Sequence, residues 1–145
     1  FNKLLFYLST CFQLLIRIIN IIAAMPRTQQ IVHNGKRIYH LDFSNLSSIE
    51  EIKGLVDEGA RYIRSQPNGS VYALTNIQDM HFNSEIKDIF GTFIKGNKPY
   101  IKASAVVGLN GLQQIVYNGL MALTGRDIKA FKTINEAKEW LGNKN

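Results

Sequence analysis

Three histidines, a few carboxylates, one serine and one glycine-rich turn are the residues of this chain whose types could do chemistry. The histidines are His33, His40 and His81. A zinc or acid–base centre needs a partner at defined spacing, and none of the three has a Cys, His or carboxylate at zinc-ligand spacing. In a hairpin turned at Asn34-Gly35, His33 falls beside the turn opposite Lys36 and His40 falls opposite Gln29. They cannot share an ion, and all three read as surface or edge histidines. Asp79 and His81 flank Met80 in the manner of an acid–base pair, but no nucleophile accompanies them. Glu50-Glu51 and Asp57-Glu58 fit a helix start and a solvent face. Asp42 ends a strand, turned either into a pocket at the sheet edge or into an Asp-Phe-Ser-Asn turn. No catalytic residue, metal ligand or cofactor is expected.

Two features could bind rather than catalyse. Gly108-Leu109-Asn110-Gly111 joins a strand to a helix and offers backbone N–H groups to an anion. It lacks the Gly-Lys-Ser/Thr of a P-loop and the G-x-G-x-x-G of a dinucleotide site, so a tight packed turn is the competing reading. Ser84, in Asn83-Ser84-Glu85, opens a helix. A phosphate there would be favoured by the positive end of the helix, whereas plain capping by Asn83 needs no modification.

These residues hang on an alternation of strands and helices that begins at Gln29. Asn34-Gly35 between residues 29–33 and 36–43 signals a two-residue hairpin. A helix over 48–65 follows, with Ser47 and Glu50 at capping-box spacing and Ile49, Ile52, Val56 and Ile63 on one face. Residues 70–76 form a buried strand. Asn83 caps a second helix with Ile86, Ile89, Phe90 and Phe93 inward, and Gly96-Asn97-Lys98-Pro99 stops it. Residues 100–107 are the most strand-like run and are expected at the centre of the sheet. The third helix would bury Leu112, Ile115, Val116, Leu120 and Leu123 before Gly125 closes it. A strand at 128–132 and a helix capped by Thr133 and Glu136, anchored by Ala137, Trp140 and Leu141, complete the order. The expected fold is one α/β domain, β-β-α-β-α-β-α-β-α, with a mixed, mostly parallel sheet and packed helices.

The bulk numbers narrow the function classes. The chain has 145 residues, a 46% hydrophobic content and a net charge of +6. Lys3 and Arg17 supply the charge of the first 25 residues, so the remaining 120 carry 15 basic against 11 acidic residues. That excess is dispersed. Its tightest cluster is Lys95, Lys98 and Lys102, which reads as solvated lysines rather than a nucleic-acid surface. Cys11 is the single cysteine, so no intramolecular disulfide forms, in keeping with a reducing cytoplasm.

Residues 1–25 stand apart from the body at 26–145. From Leu4 to Ala24 the chain is almost continuously apolar, interrupted by Ser9, Gln13, Arg17 and Asn20, which a helix aligns as a narrow polar stripe. The run is long enough to cross a bilayer. Its twelve Leu, Ile and Phe residues would favour insertion by roughly 4–7 kcal/mol, against about 3 kcal/mol for Arg17. Ala23-Ala24-Met25-Pro26 is an indifferent signal-peptide junction. Three readings stay open: upstream or fragment sequence ahead of a start at Met25-Pro26-Arg27, a membrane anchor, and a helix docked on the body.

Five stretches carry a family resemblance: LDFSNLSS at 41–48, VYALTNI at 71–77, FNSEIKDIF at 82–90, KPYIKASAVVGLNGL at 98–112 and EAKEWL at 136–141. Over about residues 29–142 the chain resembles STAS-like domains of the anti-sigma-factor-antagonist type, in the STAS/CRAL-TRIO-like subgroup. In that family the second helix begins at a phosphorylatable serine within Asp-Ser-Ser-Gly. Ser84 is the nearest positional match, with Asn83-Ser84-Glu85-Ile86 standing in place of the motif after a longer loop at 77–82. The resemblance implies a regulatory, non-enzymatic module that binds a protein partner, with a homodimer compatible. It also implies kinship with lipid-transfer domains, so a carrier or sensor of a small apolar ligand or lipid is the alternative. The body is small for such a cavity, and Phe90, Phe93, Tyr117 and Trp140 read instead as core. No nucleic-acid partner is expected. The expected location is cytoplasmic, or membrane-anchored through residues 4–24.

Overall fold

In the computed structural model, which describes residues 1–23 and 26–145, the chain runs α1 (Asn2–Ala23), β1 (Thr28–His33), β2 (Lys36–Asp42), α2 (Ile49–Arg64), β3 (Val71–Asn76), α3 (Ser84–Asn97), β4 (Ile101–Val107), α4 (Gly111–Thr124), β5 (Ile128–Phe131) and α5 (Ile134–Gly142). A single 3-10 turn, Lys98–Tyr100, links α3 to β4. The strands form one mixed sheet in the order β1-β2-β3-β4-β5, antiparallel only between β1 and β2. The body is therefore a single α/β domain with the expected order of elements.

Asn34 at φ 48° and Gly35 at φ 74° turn the hairpin. It pairs His33 with Lys36 and Gln29 with His40, the register expected from the turn. Three parallel crossovers then march across the sheet without reversing. α2, α3 and α4 consequently cover one face, where Leu41, Phe43, Ile52, Ile63, Ile86 and Phe90 are buried. α5 alone covers the other, burying Ala137 and Leu141 against Ile38, Leu74, Ala105 and Val107. Because the strand order never reverses, the sheet has no switch-point crevice of the doubly wound kind.

Three expectations are corrected. β4 is an interior strand, but the middle of the sheet is β3, because each crossover adds its strand on the same side. The cap of α2 is Ser48, whose hydroxyl accepts the Glu51 N–H at 3.4 Å, rather than Ser47. α4 is rotated from its expected face: Leu120 is buried, whereas Leu112, Ile115 and Leu123 are 62%, 70% and 82% exposed. Gln113 and Thr124 turn inward instead. Hydrogen bonds permit this. The Gln113 side chain donates to Met80 O and accepts from Asn110 N, both at 3.1 Å, and Thr124 Oγ1 donates to Leu120 O at 2.6 Å.

α1 is the one described helix long and apolar enough to cross a membrane, over Asn2–Ile22 with a mean hydropathy of 1.8. Its residues 2–22 are all exposed. The boundary expected at Met25 and the Ala24-Met25 junction lie outside the described residues.

Candidate functional site

Gly108 sets the geometry at the head of α4. Its φ of +89° is open to glycine, and a Cβ there would lie 2.4 Å from the Gln78 backbone nitrogen. The turn therefore packs flush on the loop after β3. Asn110 then caps α4 reciprocally with Gln113: each side chain accepts the other's N–H at 3.1 Å. Of the N–H groups expected to be free for an anion, that of Asn110 is thus already taken by Gln113 Oε1, while Gly111 stands exposed at the first helical position.

Beneath α4, between it, α3 and the sheet, lies an apolar cavity of about 90 Å³. Its walls are mostly Leu, Ile, Val, Met and Phe, and among its lining residues Arg126 alone is charged. The Arg126 guanidinium enters from the loop between α4 and β5. It donates from Nη1 to Ile94 O at 3.0 Å and from Nη2 to Ser104 Oγ at 2.9 Å. Ile94 is in the last turn of α3, where carbonyl oxygens lack helical donors and the helix end is negative. Among the described residues no carboxylate lies within 4.0 Å of Arg126. Burial pulls its guanidinium below the usual arginine range. Tyr117, also on the wall, donates its hydroxyl to Ile128 O, and burial raises its pKa.

The remaining site residues are scattered. Ser84 is exposed at the first position of α3, beside the cap in which Asn83 Oδ1 accepts the Ile86 N–H at 2.8 Å. Its neighbour Glu85 pairs with Lys53 of α2 at 3.0 Å. Both line an open groove of about 520 Å³ between α2 and α3. Asp42 accepts from Ser44 N at 3.0 Å and Asn76 Nδ2 at 3.3 Å, the turn alternative, while Asp79 and His81 are exposed. His33 meets Glu139 at 2.8 Å.

His40 overturns the surface reading: it is buried on the α5 side of β2, and neither ring nitrogen has a hydrogen-bond partner. Burial lowers its pKa, partly opposed by Asp42 and reinforced by Lys138. Strand alternation could have placed it, because Ile38 and His40 share a face.

Among the described residues no group of three His, Cys, Asp or Glu is placed to hold a metal ion. Sequence reasoning passed over Arg126 altogether. Its neighbour Asp127 makes the pair look like ordinary surface charge, and only the fold shows the guanidinium turned inward. Comparison of the chain with family models, curated proteins and solved structures finds no match to any of them.

Proposed function

We propose that this chain is a STAS-like, non-enzymatic regulatory module that works through contacts with a protein partner. The observation that carries this reading is the outward stripe of α4. Leu112, Ile115 and Leu123 stand on one helical face, and among the described residues from 26 onward the only other large exposed apolar residue is Val32. An aligned apolar stripe on an otherwise polar body is what an interaction surface requires. The element order and the quoted motifs support the STAS-like assignment. Ser84 is then the residue to phosphorylate, exposed where a helix start favours the charge. The body faces the cytoplasm on this reading, free or tethered through α1. The test is crosslinking and partner identification with the full chain and with a Leu112→Lys, Ile115→Lys, Leu123→Lys variant. The variant is expected to fold as the wild type does and to lose its specific partner. An unchanged set of crosslinked proteins would sink the reading.

A second reading, a carrier or sensor of a small apolar ligand, is favoured by the cavity under α4. At about 90 Å³ it is well below the roughly 300 Å³ of a usual ligand pocket, which points away from long lipids. Titration with small apolar probes, followed by thermal shift, tests it.

A further inference from the structure

We infer that two copies of this chain pair through the outward face of α4, antiparallel, about a two-fold axis opposite Tyr117. The inference rests on the interaction-surface reading and names the partner as a second copy.

The outward face of α4 is an apolar seam. Leu112, Ile115, Gly119 and Ala122 follow at steps of three, four and three, and each is exposed. That is the spacing by which one helix packs along another. Gly111 and Leu123 extend the same face and are exposed as well. Large and small residues are arranged symmetrically along it. Ile115 and Gly119 each lie two residues from Tyr117, Leu112 and Ala122 five, and Gly111 and Leu123 six. In a second α4 laid antiparallel about that point, every large side chain meets a small residue. Ile115 meets Gly119, Leu112 meets Ala122, and Leu123 meets Gly111. A two-fold axis makes each contact twice, as pairing of one patch with itself requires. Gly111 and Gly119 have no heavy atom within 4 Å of where a Cβ would stand, so both notches are open. Tyr117 itself turns inward to Ile128 O and leaves the axis clear.

Charge and area choose the occupant. α4 carries no charged residue from Gly111 to Thr124, so a second copy meets no like charge on this helix. A helix that lies in a lipid surface is rich in Lys and Arg on its polar face. The exposed polar residues of α4, Gln114 and Asn118, are neutral and bonded to each other at 3.2 Å. Its 14 residues rise about 21 Å, and a width of about 10 Å gives a footprint of about 200 Å² per copy. A stable dimer buries about 800 Å² per partner, so the pair is reversible, with a Kd of roughly 10–1,000 µM.

The experiment uses the full chain in mild detergent, in a Cys11→Ser background that removes the single native thiol. Leu112→Cys and Ala122→Cys chains are mixed and oxidised with copper phenanthroline, and linked dimers are followed on non-reducing gels. The mixture should crosslink at least about tenfold faster than either variant alone, because like positions stand about 15 Å apart in an antiparallel pair. Gly111→Cys mixed with Leu123→Cys should behave in the same way. Gly119→Leu, added to both chains, keeps the face apolar but fills the notch, and should slow mixed crosslinking at least about fivefold. Either variant linking to itself as fast as the mixture would overturn the antiparallel pair. An unchanged rate with Gly119→Leu would overturn the large-into-small packing. Absence of mixed crosslinking would remove the second copy as partner. The interaction-surface reading then stands if the Leu112→Lys, Ile115→Lys, Leu123→Lys chain still loses a crosslinked protein, and falls if it loses none. A bimane on Leu112→Cys that shifts to the blue on phosphatidylglycerol vesicles, without mixed crosslinking, would give the face to a lipid surface and overturn the pairing.

Discussion

Gly108 lies so close to the Gln78 backbone that a Cβ on it would stand 2.4 Å from the Gln78 nitrogen and 2.6 Å from its Cα. Both partners are main chain, so no rotamer change relieves the clash. The φ of +89° adds conformational strain for any L side chain. Gly108→Ala is therefore expected to cost more than about 2 kcal/mol. Gly111, three residues on, has open space around its Cβ position and no positive φ. Gly111→Ala should be neutral or stabilise by up to about 1 kcal/mol. Urea denaturation of the two variants separates a turn fixed by close packing from one that is merely glycine-rich.

The rotation of α4 makes an equally direct prediction. Leu120 is buried beside the cavity, so Leu120→Ala enlarges it and is expected to cost about 2–4 kcal/mol. Leu112→Lys and Ile115→Lys remove exposed apolar side chains and should stay within about 0.5 kcal/mol of wild type. If α4 were seated on the stripe expected from periodicity, those two substitutions would cost as much as the loss at Leu120. Thermal and chemical denaturation of the three single variants decides it.

The fate of α4 shows what could be read from the chain and what could not. The hairpin, the Asn83 and Thr133 caps and the strand–helix order were legible because each is a local signal: two residues of positive φ, or a side chain reaching three residues on. α4 is apolar on nearly every side, so its pattern cannot choose between the face of Leu112, Ile115 and Leu123 and the face of Gln113, Leu120 and Thr124. The choice is made by Met80 O, which accepts from Gln113 across 33 residues of sequence. Arg126 was illegible for the same kind of reason. Its partners, Ile94 O and Ser104 Oγ, come from α3 and β4 and meet only in the folded chain.

The start of α2 offers a test at single-residue resolution. Ser47 and Ser48 are adjacent, and both have a glutamate three residues on. The Ser48 hydroxyl is the one that accepts a backbone N–H, from Glu51. Ser48→Ala should lower stability by about 1 kcal/mol, whereas Ser47→Ala should change it by no more than a few tenths. Equal effects at the two positions would contradict the observed cap.

His40 gives the fold a pH dependence whose sign can be worked out. Its imidazole is 7% exposed, has no hydrogen-bond partner on either nitrogen, and is held below the ordinary histidine pKa mainly by burial. The folded chain therefore resists a proton that the unfolded chain accepts near pH 6.5. Between the lowered folded value and about 6.5, the unfolded state binds more protons, so stability rises with pH and falls on acidification. The contribution is fully present above pH 6.5 and is lost at up to about 1.4 kcal/mol per pH unit as pH drops through that window. His40→Leu removes the titrating group and leaves no buried nitrogen unpaired, so at pH 7 it should be neutral or stabilising. Denaturation midpoints measured from pH 7.5 to 5 should fall more steeply for the wild type than for the variant. Parallel curves would show that His40 takes up its proton in the folded state as readily as in the unfolded one, against the burial that β2 and α5 impose on it.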